Sequence, residues 1–121
     1  MISRYAVYSV DLNPVIGSEL AKRRPAIVVS DDEMNRRLET VVVCPLTTTI
    51  HAQWPFRIQT VVAGRECEVA VDQIHTISRR RIGSLVEQVD DTIAARIRHV
   101  VTEMYGLLSV PSPEPREDRG N

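Results

Sequence analysis

The sequence has few aromatic residues and no excess of either charge. Aromatics make up 4% of its 121 residues, and 15 Lys+Arg stand against 16 Asp+Glu, for a net charge of -1. This balance excludes partners chosen by bulk charge, as for a histone-like DNA-coating protein or a polybasic membrane binder. The scarcity of aromatics argues against a nucleic-acid binder that works mainly by stacking bases on aromatic platforms.

Metal-ligand patterns, leader segments and nucleotide-binding motifs are missing as well. Cys44 and Cys67 have no CxxC spacing and the three histidines are scattered singly, so we expect buried thiols, no metal site and no cofactor. No apolar run follows the N-terminus, and none approaches the roughly 20 residues that cross a bilayer. Walker, GxGxxG and HExxH patterns are absent. We therefore expect a soluble, cytoplasmic protein without membrane contact.

Aliphatic residues are plentiful, since 43% of the chain is hydrophobic. A helix is predicted to begin after Asp90 or Asp91, because apolar residues then recur at helical spacing as far as Leu108. We predict a mainly β fold, a small and strongly curved sheet or partly open barrel closed by this C-terminal helix. Apolar or alternating runs predict strands over residues 6–12, 25–30, 40–46, 54–60 and 67–74, with a hairpin turn at 63–66.

The chain divides into a domain and a tail. Residues 1–108 are predicted to form one domain. Residues 109–121 alternate proline with polar residues and then become wholly polar, so this tail is predicted to be disordered. The tail holds three acidic and two basic residues, which leaves the domain itself neutral. Any basic surface on the domain must therefore be balanced by an acidic one elsewhere.

The first segment suited to chemistry is the loop before Pro25. In this loop Lys22, Arg23 and Arg24 follow Glu19. Proline restricts the residue before it to extended conformations, which would aim Arg24 as a phosphate or a pentacoordinate phosphorus requires. The alternative is a solvated basic loop in which Arg24 pairs with Glu19.

The second segment is the end of the third predicted strand. There a buried strand emerges through a proline into Thr47, Thr48 and Thr49. Their hydroxyls could donate to phosphate oxygens or to a base. Alternatively they bond the local backbone in a turn. His51 follows closely and is a candidate general base.

The third segment covers residues 72–81. Gln73 could read a base edge, and the arginine run of residues 79–81 could hold backbone phosphates. Alternatively, these arginines cap the preceding structure and pair with Glu87, Asp90 and Asp91.

Four stretches of the chain together resemble the MazF/PemK family of toxin endoribonucleases. They occur in order and with family-like spacing, and the similarity covers about residues 5–108. The family usually has Gly-Asp before the first strand, where this chain has Tyr5 and Ala6. The matching stretches are residues 10–19 (VDLNPVIGSE), 23–30 (RRPAIVVS), 41–48 (VVVCPLTT) and 72–77 (DQIHTI).

This resemblance implies a toxin of a type II toxin–antitoxin system, built as a small SH3-like barrel of the MazF/CcdB type. It implies a homodimer with an RNA groove across its interface, and neutralisation by a cognate antitoxin. The family's Arg-Pro arginine falls on Arg24, its strand-end threonine on Thr47 and its Gly-Ser-Glu glutamate on Glu19, the three expected catalytic residues. The expected RNA contacts are the Asp-Gln-Ile glutamine, Gln73, with Ser18, Lys22, Arg23, Thr48, Arg79 and Arg80.

The implied activity is sequence-specific, metal-independent cleavage of single-stranded RNA, which inhibits translation and growth. In the mechanism that fits, the ribose 2′-hydroxyl attacks the adjacent phosphorus, leaving a 2′,3′-cyclic phosphate and a 5′-hydroxyl end. Arg24 would neutralise charge growing on the non-bridging oxygens, and Thr47 would hold the phosphate in line. Arginine is effectively never deprotonated, so Glu19, His51 or water is left as the proton acceptor.

Two other functions fit the same fold. One is a DNA gyrase poison of the CcdB type, which has no nuclease activity. Proteins of that kind end in an exposed aromatic contact, whereas this chain ends in a Pro, Glu and Arg tail and its only tryptophan is Trp54. The other is a catalytically inactive RNA-binding or regulatory domain. The intact pair of Arg24 and Thr47 favours the endoribonuclease.

Overall fold

The described part of the chain forms seven strands and two helices. A computed structural model describes residues 1–13, 16 and 22–106. In chain order the elements are β1 (Ala6–Asp11), β2 (Arg23–Val28), α1 (Asp32–Arg37), β3 (Thr40–Thr47), β4 (Arg57–Val62), β5 (Arg65–Ala70), β6 (His75–Ser78), β7 (Ile82–Gln88) and α2 (Asp91–Tyr105). Short 3-10 turns, Val71–Gln73 and Arg79–Arg81, flank β6. Neither helix in these ranges is long and apolar enough to span a membrane.

The strands pair antiparallel in the order β4-β5-β3-β2-β1-β7, with β6 also paired to β3. The first half of β3 pairs with β6, where Val41 lies opposite Ile77. Its last residues pair with β5, where Thr47 lies opposite Glu68. Because β3 pairs with β6 along its first half and with β5 at its end, the sheet curls into a half-barrel. The predicted mainly β fold with a C-terminal helix is confirmed.

Successive residues of the inner strands face two separate cores. Val7 and Ile27 belong to the core that also receives the apolar side of α2. Tyr8 and Ala26, their neighbours in sequence, belong to a second core. Strand side chains alternate between the two faces of a sheet, so a strand buried on both faces needs a nearly continuous apolar sequence. This is the pattern of β2 and β3.

The C-terminal helix α2 matches its prediction closely. Asp90 caps it, because its Oδ1 accepts the Ile93 N–H at 2.9 Å. Ile97 is buried in the larger core. The rest of the predicted apolar stripe packs against the same core through Ile93, Val100, Val101 and Met104. Leu108, the last residue of the predicted stripe, lies outside the described residues, as does the predicted tail, residues 109–121.

The predicted hairpin turn and the predicted buried thiols are both confirmed. Ala63 and Gly64 join β4 to β5 with φ angles of 52° and 78°, as a two-residue hairpin of type I′ requires. Both cysteines are free and buried. Burial raises the pKa of Cys44 to about 12 and also raises that of Cys67, so neither thiol is ionised near neutral pH.

Several features differ from the sequence predictions. The strand predicted over residues 67–74 ends at Ala70 as β5, and a 3-10 turn and then β6, which was not predicted, follow it. β7 is an edge strand next to β1, and its exposed residues break the apolar alternation that marks a strand. α1 is too short for helical periodicity to show, and its one signal is the cap, Asp31, which accepts the Glu33 N–H. β4 begins at Arg57 rather than Trp54, because the chain turns at Phe56, where φ is 62°.

Candidate active site

The register of β2 and β3 brings the predicted catalytic residues Arg24 and Thr47 together. The two strands pair Ala26 with Pro45. Residue numbers of opposed partners have a constant sum in an antiparallel ladder, so the same register continued places Arg24 opposite Thr47. Opposed residues project from the same face of a sheet. Arg24 and Thr47 therefore lie just beyond the last paired residues of the two strands, and both line the same cleft.

Arg24 and Thr47 both line a cleft of about 630 Å³. Among its described lining residues three are arginines and none is acidic, although the chain as a whole is nearly neutral. A cationic cleft attracts the phosphates of a polynucleotide. The described lining consists of Leu12, Arg23, Arg24, Pro25, Pro45, Leu46, Thr47, Thr48, Thr49, Arg65 and Gln73.

Arg24 keeps its guanidinium available to a ligand. The residue is exposed, and no ion pair joins it to any of the described residues. Its backbone is held opposite Val10 in the pairing of β2 with β1. Glu19, the partner expected in the solvated-loop alternative, lies outside the described residues, as does Ser18.

The Thr47 hydroxyl accepts a hydrogen bond within a turn and still has its own proton to donate. Its Oγ1 accepts the Thr49 N–H at 3.1 Å, as the turn alternative expected. Accepting that bond leaves the hydroxyl proton available, because a hydroxyl donates one hydrogen bond and accepts two. The turn thus orients the hydroxyl without consuming it as a donor. Thr48 is exposed and lines the same cleft.

Arg23 is fixed at the rim of the cleft. Its Nε donates to Ser9 Oγ at 3.0 Å and its Nη2 to the Ser9 carbonyl at 3.4 Å. Gly83 in β7 leaves room for this side chain. A Cβ at Gly83 would meet the Arg23 guanidinium and would lie 2.8 Å from the Ser9 carbonyl oxygen.

Gln73 and Arg65 complete the cleft, and sequence reasoning identified only Gln73. Gln73 ends the 3-10 turn before β6 and is exposed. Arg65 begins β5 directly after the hairpin turn. In sequence it is indistinguishable from an ordinary surface residue of a turn. Only the pairing of β5 with β3 carries it to the cleft.

Lys22, Arg79 and Arg80, also predicted to bind RNA, do not line this cleft. Lys22 is exposed just before β2, and its carbonyl accepts the Leu12 N–H at 3.0 Å. Arg79 donates to the Leu38 carbonyl at 3.2 Å, which is the capping role that the alternative prediction expected. Arg80 is exposed.

Two of the three acids expected to pair with the arginine run have other partners. Glu87 accepts the Ala63 N–H at 2.9 Å, and Asp90 caps α2. Arg81, the third arginine of the run, donates to the backbone carbonyls of Asp11 and Asn13. Arg79 and Arg81 therefore hold neighbouring backbone in place.

A buried carboxylate lies beside the cleft. Glu68 is 0% exposed and accepts hydrogen bonds from Arg57 Nη1 at 2.7 Å and from the His51 N–H at 2.8 Å. Arg57 also bonds Asp72, at 2.5 Å. We call Glu68, Arg57, Asp72 and His51 the Glu68 network.

Both central groups of the Glu68 network stay ionised. Burial by itself would raise the pKa of Glu68, but hydrogen bonds from His51 and Arg57 bring it below its ordinary value. The hydrogen bond to Asp72 is the main cause that raises the pKa of Arg57. The pair therefore carries opposite charges over the whole neutral range.

His51, the candidate general base, belongs to this network and not to the described lining of the cleft. Its Nδ1 lies 3.1 Å from Glu68 Oε2, and its ring stacks on Trp54 with centroids 3.6 Å apart. In the part of the chain that the structure describes, no three His, Cys, Asp or Glu side chains are grouped so as to hold a metal ion.

Comparison with known proteins shows to which family this chain belongs. Residues 3–105 match the family of PemK-like, MazF-like toxins of type II toxin-antitoxin systems. The chain belongs to this family. Endoribonuclease EndoA of Bacillus subtilis is 29% identical over 113 residues, covering 89% of this chain and 97% of that protein. Endoribonuclease MazF9 of Mycobacterium tuberculosis is 32% identical over 91 residues, covering 68% and 77%.

A solved structure of a MazF-like fold agrees. An endoribonuclease from a Mycobacterial species, in complex with its cognate antitoxin, matches with a TM-score of 0.71 at 24% identity, covering 92% of this chain and 98% of that one. MazF of Deinococcus radiodurans matches with a TM-score of 0.71 at 21% identity, covering 87% of this chain and 96% of that one, so the fold is that of the MazF toxins. The family and the named relatives identify the chain as a MazF-type toxin endoribonuclease and favour this activity over gyrase poisoning.

In this MazF-like toxin, sequence reasoning also missed the Glu68 network. One signal was available, because Glu68 interrupts an otherwise apolar stretch between Cys67 and Val69. An acid at a strand position bounded by core residues needs a partner. The partner, Arg57, could not be named before the pairing of β4 with β5 was known.

Proposed function

We propose that the chain cleaves single-stranded RNA at a short preferred sequence, without a metal, by attack of the ribose 2′-hydroxyl on the adjacent phosphorus. The observation that carries the proposal is the placement of Arg24 opposite Thr47 in a cleft whose described lining has no acidic residue. The products are a 2′,3′-cyclic phosphate and a 5′-hydroxyl end. DNA is not cleaved, because it lacks the 2′-hydroxyl.

In this mechanism Arg24 and Thr47 act on the reacting phosphate. The Arg24 guanidinium donates to the non-bridging oxygens, where negative charge grows as the phosphorus becomes pentacoordinate. The Thr47 hydroxyl donates to the same group and holds it in line with the attacking oxygen. Glu19 is the third proposed catalytic residue, by resemblance to the family. Because arginine keeps its proton, the 2′-hydroxyl proton goes to a carboxylate, an imidazole or water.

The RNA chain on either side of this phosphate is bound by the rest of the cleft. Arg23 and Arg65 are placed to hold flanking phosphates, and Thr48 and Gln73 offer donors and acceptors to base edges. Ser18, Lys22, Arg79 and Arg80 are proposed to extend the contacts beyond the described lining.

The proposed setting is that of a toxin held in check by a protein partner. A homodimer would join two such clefts into one groove, and a cognate antitoxin would block it; the Mycobacterial endoribonuclease whose fold this chain shares is in complex with its cognate antitoxin. Released toxin would cleave cellular RNA and so stop translation and growth.

The test uses purified protein, a long single-stranded transcript and excess EDTA. Replacing Arg24 by alanine is expected to lower kcat by about 100- to 1,000-fold, the usual effect of removing one donor to a developing oxyanion. The matched control is Arg96→Ala on the exposed side of α2, which should cleave like the wild type. Mapping the 5′ ends of the fragments identifies the preferred sequence.

Three results would contradict the mechanism. Full activity of Arg24→Ala would remove that residue from the chemistry. Loss of cleavage in EDTA would show that a metal is required. Fragments with 5′-phosphate ends would exclude attack by the 2′-hydroxyl.

A further inference from the structure

The single tryptophan of the chain is exposed in an ordered setting. Trp54 is 53% exposed, and its ring stacks on His51 with centroids 3.6 Å apart and 18° between the planes. The Arg57 guanidinium carbon lies 4.8 Å from the centroid of the same ring. Surface tryptophans are large apolar groups that proteins usually cover, so an uncovered one calls for an explanation.

Among the described residues, the ring and guanidinium contacts of the Trp54 indole lie on one side of it. Arg57 Nη1 lies 3.4 Å from His51 Nδ1, a distance too short for the two groups to sit on opposite faces of the Trp54 ring. Both therefore lie on the same side, and no ring or guanidinium contact to the opposite face occurs among the described residues. With His51 and Arg57 on one side, the indole presents its other face as a flat aromatic surface to a ligand.

The Glu68 network fixes this surface in place. Arg57 is 5% exposed in its side chain and is bonded to both Glu68 and Asp72, so it cannot move freely. His51 is held through its backbone and its ring to Glu68. The backbone N–H of Trp54 donates to the His51 carbonyl at 3.0 Å. The indole thus needs little ordering when a ligand arrives, which favours affinity.

The same network connects the indole to the cleft. Glu68 lies opposite Thr47 in the pairing of β5 with β3. Asp72 directly precedes Gln73, which lines the cleft. The aromatic surface is therefore linked to Thr47 through His51 and Glu68, although Trp54 itself is not part of the described lining of the cleft.

We propose that Trp54 is a base-stacking subsite that receives an unpaired RNA base next to the scissile phosphate. The inference rests on the proposed RNA cleavage. Proteins bind single-stranded RNA by combining cationic contacts to its backbone with aromatic faces on which its splayed bases stack. Here the cleft supplies the cationic contacts and the indole supplies the aromatic face. Stacking is tolerant of base identity, so Trp54 contributes affinity and placement more than sequence choice.

The position of Trp54 allows a direct test by fluorescence, because it is the only tryptophan in the chain. Once the cleavage site has been mapped on a transcript, the probe is a 2′-O-methyl oligonucleotide spanning that site, which binds but cannot be cleaved. Titration into the wild-type protein should quench the tryptophan emission to saturation. Anisotropy of the same oligonucleotide carrying a fluorescein label reports binding independently.

The variants separate a stacking role from a structural one. Trp54→Ala should raise KM for the transcript about 5- to 100-fold and leave kcat at saturating RNA nearly unchanged, whereas Trp54→Phe should restore most of the affinity. The matched control is Tyr105→Ala, which removes an exposed aromatic at the end of α2 and should leave KM unchanged. Circular dichroism of each variant shows whether it is folded.

Failure of this proposal is distinguishable from failure of the proposed function. If the labelled oligonucleotide binds and the tryptophan emission does not change, or if Trp54→Ala keeps the wild-type KM, the subsite is overturned while RNA cleavage stands. The same result is expected if the indole serves a protein partner instead. If no transcript is cleaved at all, the proposed function fails first.

Discussion

The ion pair between Glu68 and Arg57 predicts a large loss of stability on a single substitution. The carboxylate is 0% exposed, the guanidinium side chain is 5% exposed, and Oε2 lies 2.7 Å from Nη1. Removing one partner of a buried pair leaves the other charge uncompensated and costs about 3–5 kcal/mol. Arg57 would keep its bond to Asp72, which is 38% exposed. We therefore expect Glu68→Ala to lower the free energy of unfolding by about 3 kcal/mol, the lower end of that range.

The assay is urea denaturation at pH 7 followed by circular dichroism. Protein concentration is kept equal among variants, because the stability of an oligomer depends on it. The matched control is Glu66→Ala, an exposed acid on the same strand, which should change stability by no more than about 0.5 kcal/mol. A loss below about 1 kcal/mol for Glu68→Ala would refute the reasoning. The double variant Arg57→Met with Glu68→Leu should recover most of the loss, because it leaves no fully buried unpaired charge; Asp72, which loses Arg57, is 38% exposed.

The dependence on pH supplies a second readout of the same pair. The pKa of Glu68 in the folded protein lies below its ordinary value of 4.5. Its ionised form therefore stabilises the folded protein at pH values above 4.5, and this contribution is lost as pH falls toward the lower, folded-state pKa. The stability advantage of wild type over Glu68→Gln should shrink below pH 4.5. A constant difference down to pH 3 would contradict the assignment of that charge.

Two further predictions concern Gly83 and Cys44. Gly83→Ala should lower the free energy of unfolding by about 1–3 kcal/mol, as measured by urea denaturation. The added Cβ would displace the flexible Arg23 side chain and would also crowd the backbone oxygen of Ser9, 2.8 Å away. Because burial raises the pKa of Cys44 to about 12, the folded protein should not react with a thiol reagent at pH 8, and both cysteines should react in guanidinium. The same shift predicts that stability falls as pH rises above 9.0, and a rapid native-state reaction at Cys44 would contradict the burial that causes it.

Local sequence signals predicted the elements whose causes are themselves local. Asp90 caps α2 because an aspartate supplies the acceptor for the free N–H groups of a first turn. Gly64 marks the hairpin because positive φ angles favour glycine. β7 carries no comparable signal, since an edge strand with one solvent-facing side is not required to be apolar.

The candidate site likewise contains some residues that the sequence predicted and others that only the tertiary structure brought in. Arg24 before Pro25 and Thr47 at a strand end were recognisable by residue type and by resemblance to a family. Nothing local said which other side chains would join them. Arg65 and Glu68 stand in a segment whose sequence predicts only a turn and a strand.

The sequence by itself therefore determined the strand-rich core, the capped helix and the candidate residues for the chemistry. The tertiary structure alone decided that Arg24, Thr47 and Arg65 line one cleft and that Glu68 is paired with Arg57. The physical reason is that the register between strands distant in sequence is set by backbone pairing and by burial of both faces of the sheet at once. A shift of one residue would send every one of these side chains to the other face.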